Sequence, residues 1–463
     1  MIYEVEWFCI KTSFVKQCNV MEGKPAEEID FSVKSFAMYS GIAVVLVGLL
    51  LLPGVVSNTY LRVLNTVCLI ALGGLVGRTL LGVPFSFKGV DAPDIQDELP
   101  SVSILVPAYN EETVLEDTIE ACADLDYPED RYEVLVCYED DCTDRTGVIA
   151  EKADQKYGFV KALERSEEGG GKARATNYAL ERAENEIIAL IDADHQYKPN
   201  ALKKAVRWFQ KDDIWAVKGR CYGRNPESSL ITLHATLERH ITERIDILAR
   251  YVMGGYTFFG GGQAFFSREA FDELGPFSES TLTEDIDMST EIQRHGHEIA
   301  VDMDVVSFEE NPGDLNAWWR QRRRWSRGWM QVAKKHLSGF SSDKKLPFKK
   351  RLDGAFTLAY AIVPAFLVVI LPLTVLTLLG FDTRTFVPYS EYIWTLIALA
   401  PISLSAILFY HDRGKYRHKP REYLAAVTIW FYLFFQAIVH ISAFIDEFIL
   451  DKKNVFVTTT RTD

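Results

Sequence analysis

Glu186-Ile187-Ile188-Ala189-Leu190-Ile191-Asp192-Ala193-Asp194 is the stretch on which the fold turns. An apolar run over 187–191 ends abruptly on two carboxylates one residue apart. So short a run, bounded by polar residues, fits a buried strand better than a helix. The same grammar repeats on the N-terminal side. Residues 102–106 form a β-type run, followed by the turn Pro107-Ala108-Tyr109-Asn110 and a helix from Glu111. Residues 132–138 form a second, closed by Asp140-Asp141-Cys142-Thr143-Asp144 and another helix. A third run at 159–163 precedes a helix over 172–183. Repeated strand-then-helix units predict an α/β domain on a parallel sheet. Ligands of such sheets bind beyond the carboxyl ends of the strands, and polar clusters stand at three of those ends.

Each cluster has a plain structural reading beside a chemical one. Asn110, Glu111 and Glu112 suit a helix N-terminus, and Asp144 suits an ordinary cap. Their alignment on one sheet edge points instead to a site. Asp192 and Asp194 can aim hard oxygen ligands at one Mg2+ or Mn2+, whose charge offsets that of a departing nucleotide diphosphate. His195 is either a further ligand or a support behind one. Gly169-Gly170-Gly171-Lys172 opens a helix; the glycines admit a phosphate to the backbone and the lysine supplies charge. Walker spacing is absent, and a flexible loop is the other reading. Thr283-Glu284-Asp285 opens a further helix, where a carboxylate is either a cap or a general base toward an acceptor hydroxyl. In Gln321-Arg322-Arg323-Arg324-Trp325, helical spacing puts Gln321, Arg324 and Trp325 on one face. That face unites an amide, a guanidinium suited to a diphosphate and an indole suited to the apolar side of a sugar ring. Trp318, Trp319, Trp325 and Trp329, with Arg320, Arg322, Arg323 and Arg327, equally suit a helix lying in a membrane interface. Phe258-Phe259-Gly260-Gly261-Gly262-Gln263 is either a place for a ligand to approach the backbone or a simple turn.

Apolar stretches flank this block. A helix needs about 20 apolar residues to cross the hydrocarbon. Residues 36–61 carry no charge, and 63–85 carry only Arg78, near an end from which it can snorkel. Residues 354–381, 392–410 and 423–445 are uncharged. Five spans are therefore expected. The late, acidic leader argues against a cleaved signal peptide. Lys344, Lys345, Lys349, Lys350 and Arg351, and then Arg413, Lys415, Arg417, Lys419 and Arg421, place the central block and the 411–422 loop on the cytosolic side. Five spans leave the tail outside. The weak point of that count is the fifth, whose end carries Asp446, Glu447, Lys452 and Lys453 and can form an interfacial helix instead. The expected organisation is an N-terminal segment with two spans (1–95), a cytosolic catalytic domain (96–312), an amphipathic interfacial helix (313–340), C-terminal spans (352–450) and a tail (451–463). The cysteines show no CxxC pair and read as reduced thiols. A net charge of −14 argues against nucleic acid as a partner.

Taken in order, PAYNEE after a strand, DDCTD, GGGKA, DAD, FFGGG, TED and QRRRW resemble the family 2 inverting glycosyltransferases of GT-A fold. More narrowly, they resemble the membrane-embedded branch containing cellulose, chitin and hyaluronan synthases. The resemblance covers residues 100–340. It implies a Rossmann-like nucleotide-sugar-binding domain flanked by transmembrane helices. By the same resemblance Asn110, Glu111, Lys172 and either Asp140 or Asp141 help bind the donor. Asp192 contacts the nucleotide, Asp194 ligates the metal, and Asp285, with Glu284 beside it, is the catalytic base. Gln321 and Arg324 bind the donor diphosphate, and Trp325 stacks on the acceptor. The family's aspartate–aspartate–glycine–serine reads Glu139-Asp140-Asp141-Cys142 here, which leaves the register of the first aspartate open. The implied protein is multi-pass in the plasma membrane and transfers a sugar from a UDP-sugar to a growing polysaccharide. Single-sugar transfer to a lipid acceptor is the alternative, and a catalytically silent nucleotide sensor a third.

Overall fold

The computed structural model describes residues 33–96, 98–167, 171–452 and 454. The acidic leader, Gly169, Gly170 and most of the expected tail lie outside the described residues. Helices α1 (Val33–Leu51) and α2 (Asn58–Ser86) lead into the central domain. There follow β1 (Val102–Ala108), α3 (Leu115–Ala123), β2 (Tyr132–Glu139), α4 (Thr146–Lys156), β3 (Val160–Arg165), α5 (Lys172–Leu180), β4 (Ile187–Ile191), β5 (His195–Tyr197) and α6 (Ala201–Val206). Next come β6 (Ile214–Gly223), α7 (Leu230–Ile241), α8 (Leu248–Met253), β7 (Gln263–Ser267), α9 (Arg268–Leu274), α10 (Glu284–Arg294) and β8 (Glu298–Glu309).

The sheet runs β3-β2-β1-β4-β7-β6-β8-β5. Its first four strands are parallel, as their strand-helix alternation predicts. The other half departs from that expectation: β7 is antiparallel to both β4 and β6, and β5 is antiparallel to β8. Successive side chains point to opposite faces of a strand, so each central strand feeds two cores. Val102, Ile104 and Val106 join Leu115 and Ile119 on one face. Leu105, Leu135, Leu190, Ala175 and Ala179 fill the other. Each fully buried Leu, Val or Ile contributes roughly 1.5–3 kcal/mol, which fixes the strand ends that carry the polar clusters.

Helix α11 (Leu315–Ser342) starts where the Asp314 side chain accepts the Asn316 and Ala317 N–H groups. Trp318 and Trp319 on it are fully buried. Trp318 stacks on Phe435 at 5.2 Å, and Trp319 meets Phe36 at 6.1 Å. These two indoles are spent on protein packing rather than on lipid.

The expected span 354–381 is not one helix. It is divided between α12 (Phe348–Ala359), a tighter turn over Tyr360–Ala365 and α13 (Phe366–Leu378). Pro364 lacks the N–H that would continue the helical ladder there. Among the described residues, four helical stretches are long and apolar enough to cross a membrane: Lys34–Val55, Asn58–Ser86, Ser390–His411 and Pro420–Ile449. Helix α14 (Ser390–His411) belongs to the third and α15 (Pro420–Phe444) to the last.

Polar contacts order these helices. Asn65, early in α2, donates to the Thr383 carbonyl at 2.6 Å, so the start of α2 meets the 379–389 turn. At its other end Ser86 contacts His411 at 3.0 Å, beside the central domain, where Arg244 donates to the Ser86 carbonyl. Arg78 does not snorkel; it pairs with Asp246 at 3.4 Å and Asp353 at 3.2 Å. Helix α15 is held by the domain at both ends. Near its start, Arg220 of β6 donates to Asp412 at 2.6 and 2.7 Å; Asp412 meets His418, and His418 meets Glu422. Just past its end, Asp446 pairs with Arg323 and Glu447 with Arg327, both on α11. The fifth apolar stretch is thus tied near its start to β6 and just past its end to α11.

Candidate active site

Strand β4 ends at Ile191, directly opposite Gln263 of antiparallel β7. That register lays Gly261 and Gly262 against Asp192. A Cβ at Gly262 would lie 2.5 Å from the Asp192 Cβ, so only glycine permits the approach. Gly261 adopts φ +69°, a conformation glycine takes without strain. Its N–H then donates to Asp285 Oδ2 at 2.5 Å. The backbone of the glycine run thus lies against the aspartates of both the DAD and TED motifs. Asp285 Oδ1 accepts the Ile286 N–H at 2.8 Å, and Glu284 and Asp285 occupy the first turn of α10, where negative charge is favoured.

Lys172, the first residue of α5, reaches into the same space. Its Nζ is 2.6 Å from Asp192 Oδ1 and 3.6 Å from Glu284 Oε1. Burial opposes the ammonium charge, but Asp192, Glu284 and Asp285 outweigh it and hold the Lys172 pKa above the usual lysine value. Burial pushes the Glu284 carboxyl up; Asp285 adds to this, while Lys172 and Arg324 oppose it. Arg324 is therefore within electrostatic reach of the acidic cluster.

Helix α11 delivers Arg324 through a close contact one turn further on. A Cβ on Gly328 would stand 2.4 Å from Thr283 Cγ2, so α11 and the TED loop touch backbone to side chain. Gln331 accepts the Leu282 N–H at 3.0 Å. Asp287 of α10 bridges Lys335 at 2.8 Å and His336 at 2.7 Å. Gln321 and Trp325 are half-buried on the same helix. The Arg322 guanidinium lies 4.7 Å from the Trp325 ring centroid and that of Arg239 5.9 Å.

The remaining expected residues gather at the neighbouring strand ends. Asn110 takes φ +54°, and its Oδ1 accepts the Thr143 N–H at 2.8 Å. The Glu111 N–H donates to Thr146 Oγ1 at 2.7 Å, so the NEE and DDCTD loops brace each other. Asp140 and Asp141 are both exposed on that loop, and the geometry leaves either free to meet a base. β1 lies between β2 and β4, which sets these loops about 5 Å per strand from the DAD motif.

Asp192, Asp194 and His195 each offer a ligand atom within 4.8 Å of the others. Two carboxylates at one strand end are a hard-oxygen donor set, which fits Mg2+ or Mn2+. His195 behaves as a support: its Nδ1 is 2.6 Å from Asp194 Oδ1 and its Nε2 3.1 Å from Glu309 Oε2. Sequence reasoning missed Glu309 and Arg239, whose Nη1 reaches Glu309 at 2.5 Å. Glu309 closes β8 just before Asn311-Pro312. It is the same strand-end acid that revealed Asp192, and a reading carried past β4 would have found it.

A mixed sheet of this order with acidic pairs at its strand ends is that of the GT-A glycosyltransferases. Within that class, residues 100–328 match the model of the family described as glycosyltransferase like family 2. A beta-monoglucosyldiacylglycerol synthase of Nostoc sp. is 32% identical over 271 residues, 58% of this chain and 57% of the relative. A poly-beta-1,6-N-acetyl-D-glucosamine synthase of Staphylococcus aureus is 26% identical over 257 residues, 55% of this chain and 61% of the relative. The chain thus matches about six tenths of these relatives' length. A mannosyltransferase of Pyrobaculum calidifontis, solved with GDP-Man and Mn2+, shares the fold with a TM-score of 0.55. It is 22% identical and covers 84% of this chain and 100% of its own.

Proposed function

We propose that the protein is an inverting, metal-dependent glycosyltransferase that moves a hexose from a UDP-sugar to an acceptor hydroxyl presented at a membrane. The observation that carries this reading is the meeting of Lys172, Asp192, Glu284 and Asp285, with Gly261 reaching Asp285 from the glycine run and Arg324 close enough to oppose the raised Glu284 pKa. Asp285, anchored by two backbone N–H groups, takes the proton from the acceptor hydroxyl. The oxygen attacks the anomeric carbon in line, the bond to the nucleotide diphosphate breaks, and the configuration inverts. Lys172 and Arg324 hold the leaving diphosphate. Asp194, with Asp192 beside it, would hold the divalent cation, whose charge offsets that of the same leaving group. Asp140 or Asp141, with the Asn110–Glu111 turn, borders the place of the nucleotide base; Gln321 joins Arg324 at the diphosphate, and Trp325 faces the acceptor.

For the acceptor, the observations favour a lipid such as a diacylglycerol over the growing polysaccharide expected from QRRRW. Trp318, Trp319, Tyr432 and Phe435 pack tightly together under the start of α11, filling the seam between it and α15. The relative with higher identity is also a glycolipid synthase. The polysaccharide reading retains the support of the QRRRW helix and of the poly-N-acetylglucosamine synthase relative.

The membrane arrangement we propose has α1, α2, the broken α12–α13 unit and α14 crossing, with α15 lying along the cytosolic interface beside the catalytic domain. The test is UDP release from purified protein with a panel of UDP-sugars and Mn2+ or Mg2+, followed by product analysis. One sugar on an organic-extractable lipid is expected. Long water-soluble chains would reverse the acceptor choice, and no release from any nucleotide sugar would reject the enzyme.

A further inference from the structure

Behind Asp194 lies a buried chain of charged groups that no recognised motif contains. His195 stands between two carboxylates, Asp194 at 2.6 Å and Glu309 at 3.1 Å. The same Glu309 oxygen receives Arg239 Nη1 at 2.5 Å. Glu309 is 5% exposed and His195 4%. The Arg239 guanidinium in turn lies 5.9 Å from the centre of the Trp325 ring. The members come from four separate places: the turn after β4, the end of β8, helix α7 and helix α11. No local rule of sequence would place them in one line.

We propose that Glu309 and Arg239 are positioning residues that couple the metal-binding carboxylate to the acceptor platform. Glu309 fixes the ring of His195, and His195 fixes which way Asp194 presents its second oxygen. A group that orients a metal ligand from behind sets affinity nearly as strongly as the ligand itself. Arg239 neutralises Glu309 and supports the Trp325 ring from one side, where a flat guanidinium serves and a lysine does not. A shift of Trp325 on acceptor binding would then be felt at Asp194 through four contacts. The inference rests on the proposed assignment of Asp194 to the metal and Trp325 to the acceptor.

The experiment uses full-length protein in detergent. Mn2+ binding in the presence of UDP is followed by electron paramagnetic resonance, and initial rates are measured against dioleoylglycerol in mixed micelles. Glu309→Gln is expected to weaken Mn2+ binding about tenfold or more. Arg239→Lys keeps the charge and is expected to raise KM for the acceptor severalfold while leaving Mn2+ binding within about twofold. Thermal unfolding of both variants separates positioning from collapse. If Glu309→Gln is too unstable to purify, the split between KM and Mn2+ binding in Arg239→Lys decides alone. Wild-type Mn2+ affinity in a folded Glu309→Gln protein, or an unchanged acceptor KM in Arg239→Lys, overturns the proposal. Wild-type protein that binds Mn2+ and UDP but transfers no sugar sinks the enzymatic reading instead, while the Glu309→Gln titration still judges the network.

Discussion

Gly328 shows how one missing methyl group can hold a site together. Its Cα hydrogen faces Thr283, and any Cβ there would fall inside 3 Å of the Thr283 side chain. Gly328→Ala should therefore push α11 off the TED loop, at a cost of about 1–3 kcal/mol. Thermal unfolding and UDP release measure this together; an unchanged rate would mean that Arg324 does not need that contact. Asp287 gives the corresponding pH argument. Burial raises its pKa, but the hydrogen bonds from His336 and Lys335 outweigh that and leave it below the usual aspartate value. A depressed carboxylate stabilises the fold above its unfolded pKa, and that contribution fades as pH falls through the folded value. Asp287→Asn should thus cost roughly 2 kcal/mol near neutrality. The difference from wild type should shrink below the ordinary aspartate range, which unfolding midpoints at several pH values check. At this scale the acidic pairs and Lys172 were legible because each stands at a strand or helix end, and QRRRW because its spacing marks one face of a helix. The role of Gly261 was not: its N–H reaches Asp285 only because β7 pairs antiparallel with β4, a long-range fact.

Among the elements, the first four strands and the helices after the first three were readable from alternating runs and turn residues; the short β5 that follows β4 was not. Nor was the mixed half: β7 runs antiparallel between β4 and β6 while the long strands β6 and β8 pair parallel, an arrangement set by the sheet rather than by local pattern. Helix α15 shows the limit of hydropathy. Its composition is that of a span, yet composition cannot register that Arg220 waits near one end and Arg323 and Arg327 near the other. The position of α15 makes a topological prediction. In a cysteine-free background, Asp451→Cys should react with an impermeant maleimide from the same face as Asp212→Cys in the catalytic domain. Phe386→Cys, in the turn that meets the start of α2, should react from the opposite face. Labelling of position 451 together with position 386 would restore α15 to a crossing helix.

For the molecule as a whole, charge and hydropathy are segregated: a charged α/β domain sits against a set of apolar helices. The overall net charge of −14 repels a polyanionic partner. The division into a charged domain and apolar stretches was legible in the sequence; the choice between a lipid and a polysaccharide acceptor was not, because no local pattern reports it. Chelation by EDTA should abolish transfer, and excess Mn2+ should restore it with the fold unchanged, as followed by activity and far-ultraviolet dichroism. Activity that survives exhaustive chelation would remove the cation from the account.

The central claim is that the acidic cluster under α11 deprotonates an acceptor while the donor is held nearby. It is tested most directly by comparing wild type with Asp285→Asn, measuring UDP release with acceptor present and UDP affinity in parallel. The account predicts that release falls at least about 100-fold while UDP affinity stays within about threefold. Release at the wild-type rate from a folded Asp285→Asn protein would contradict it.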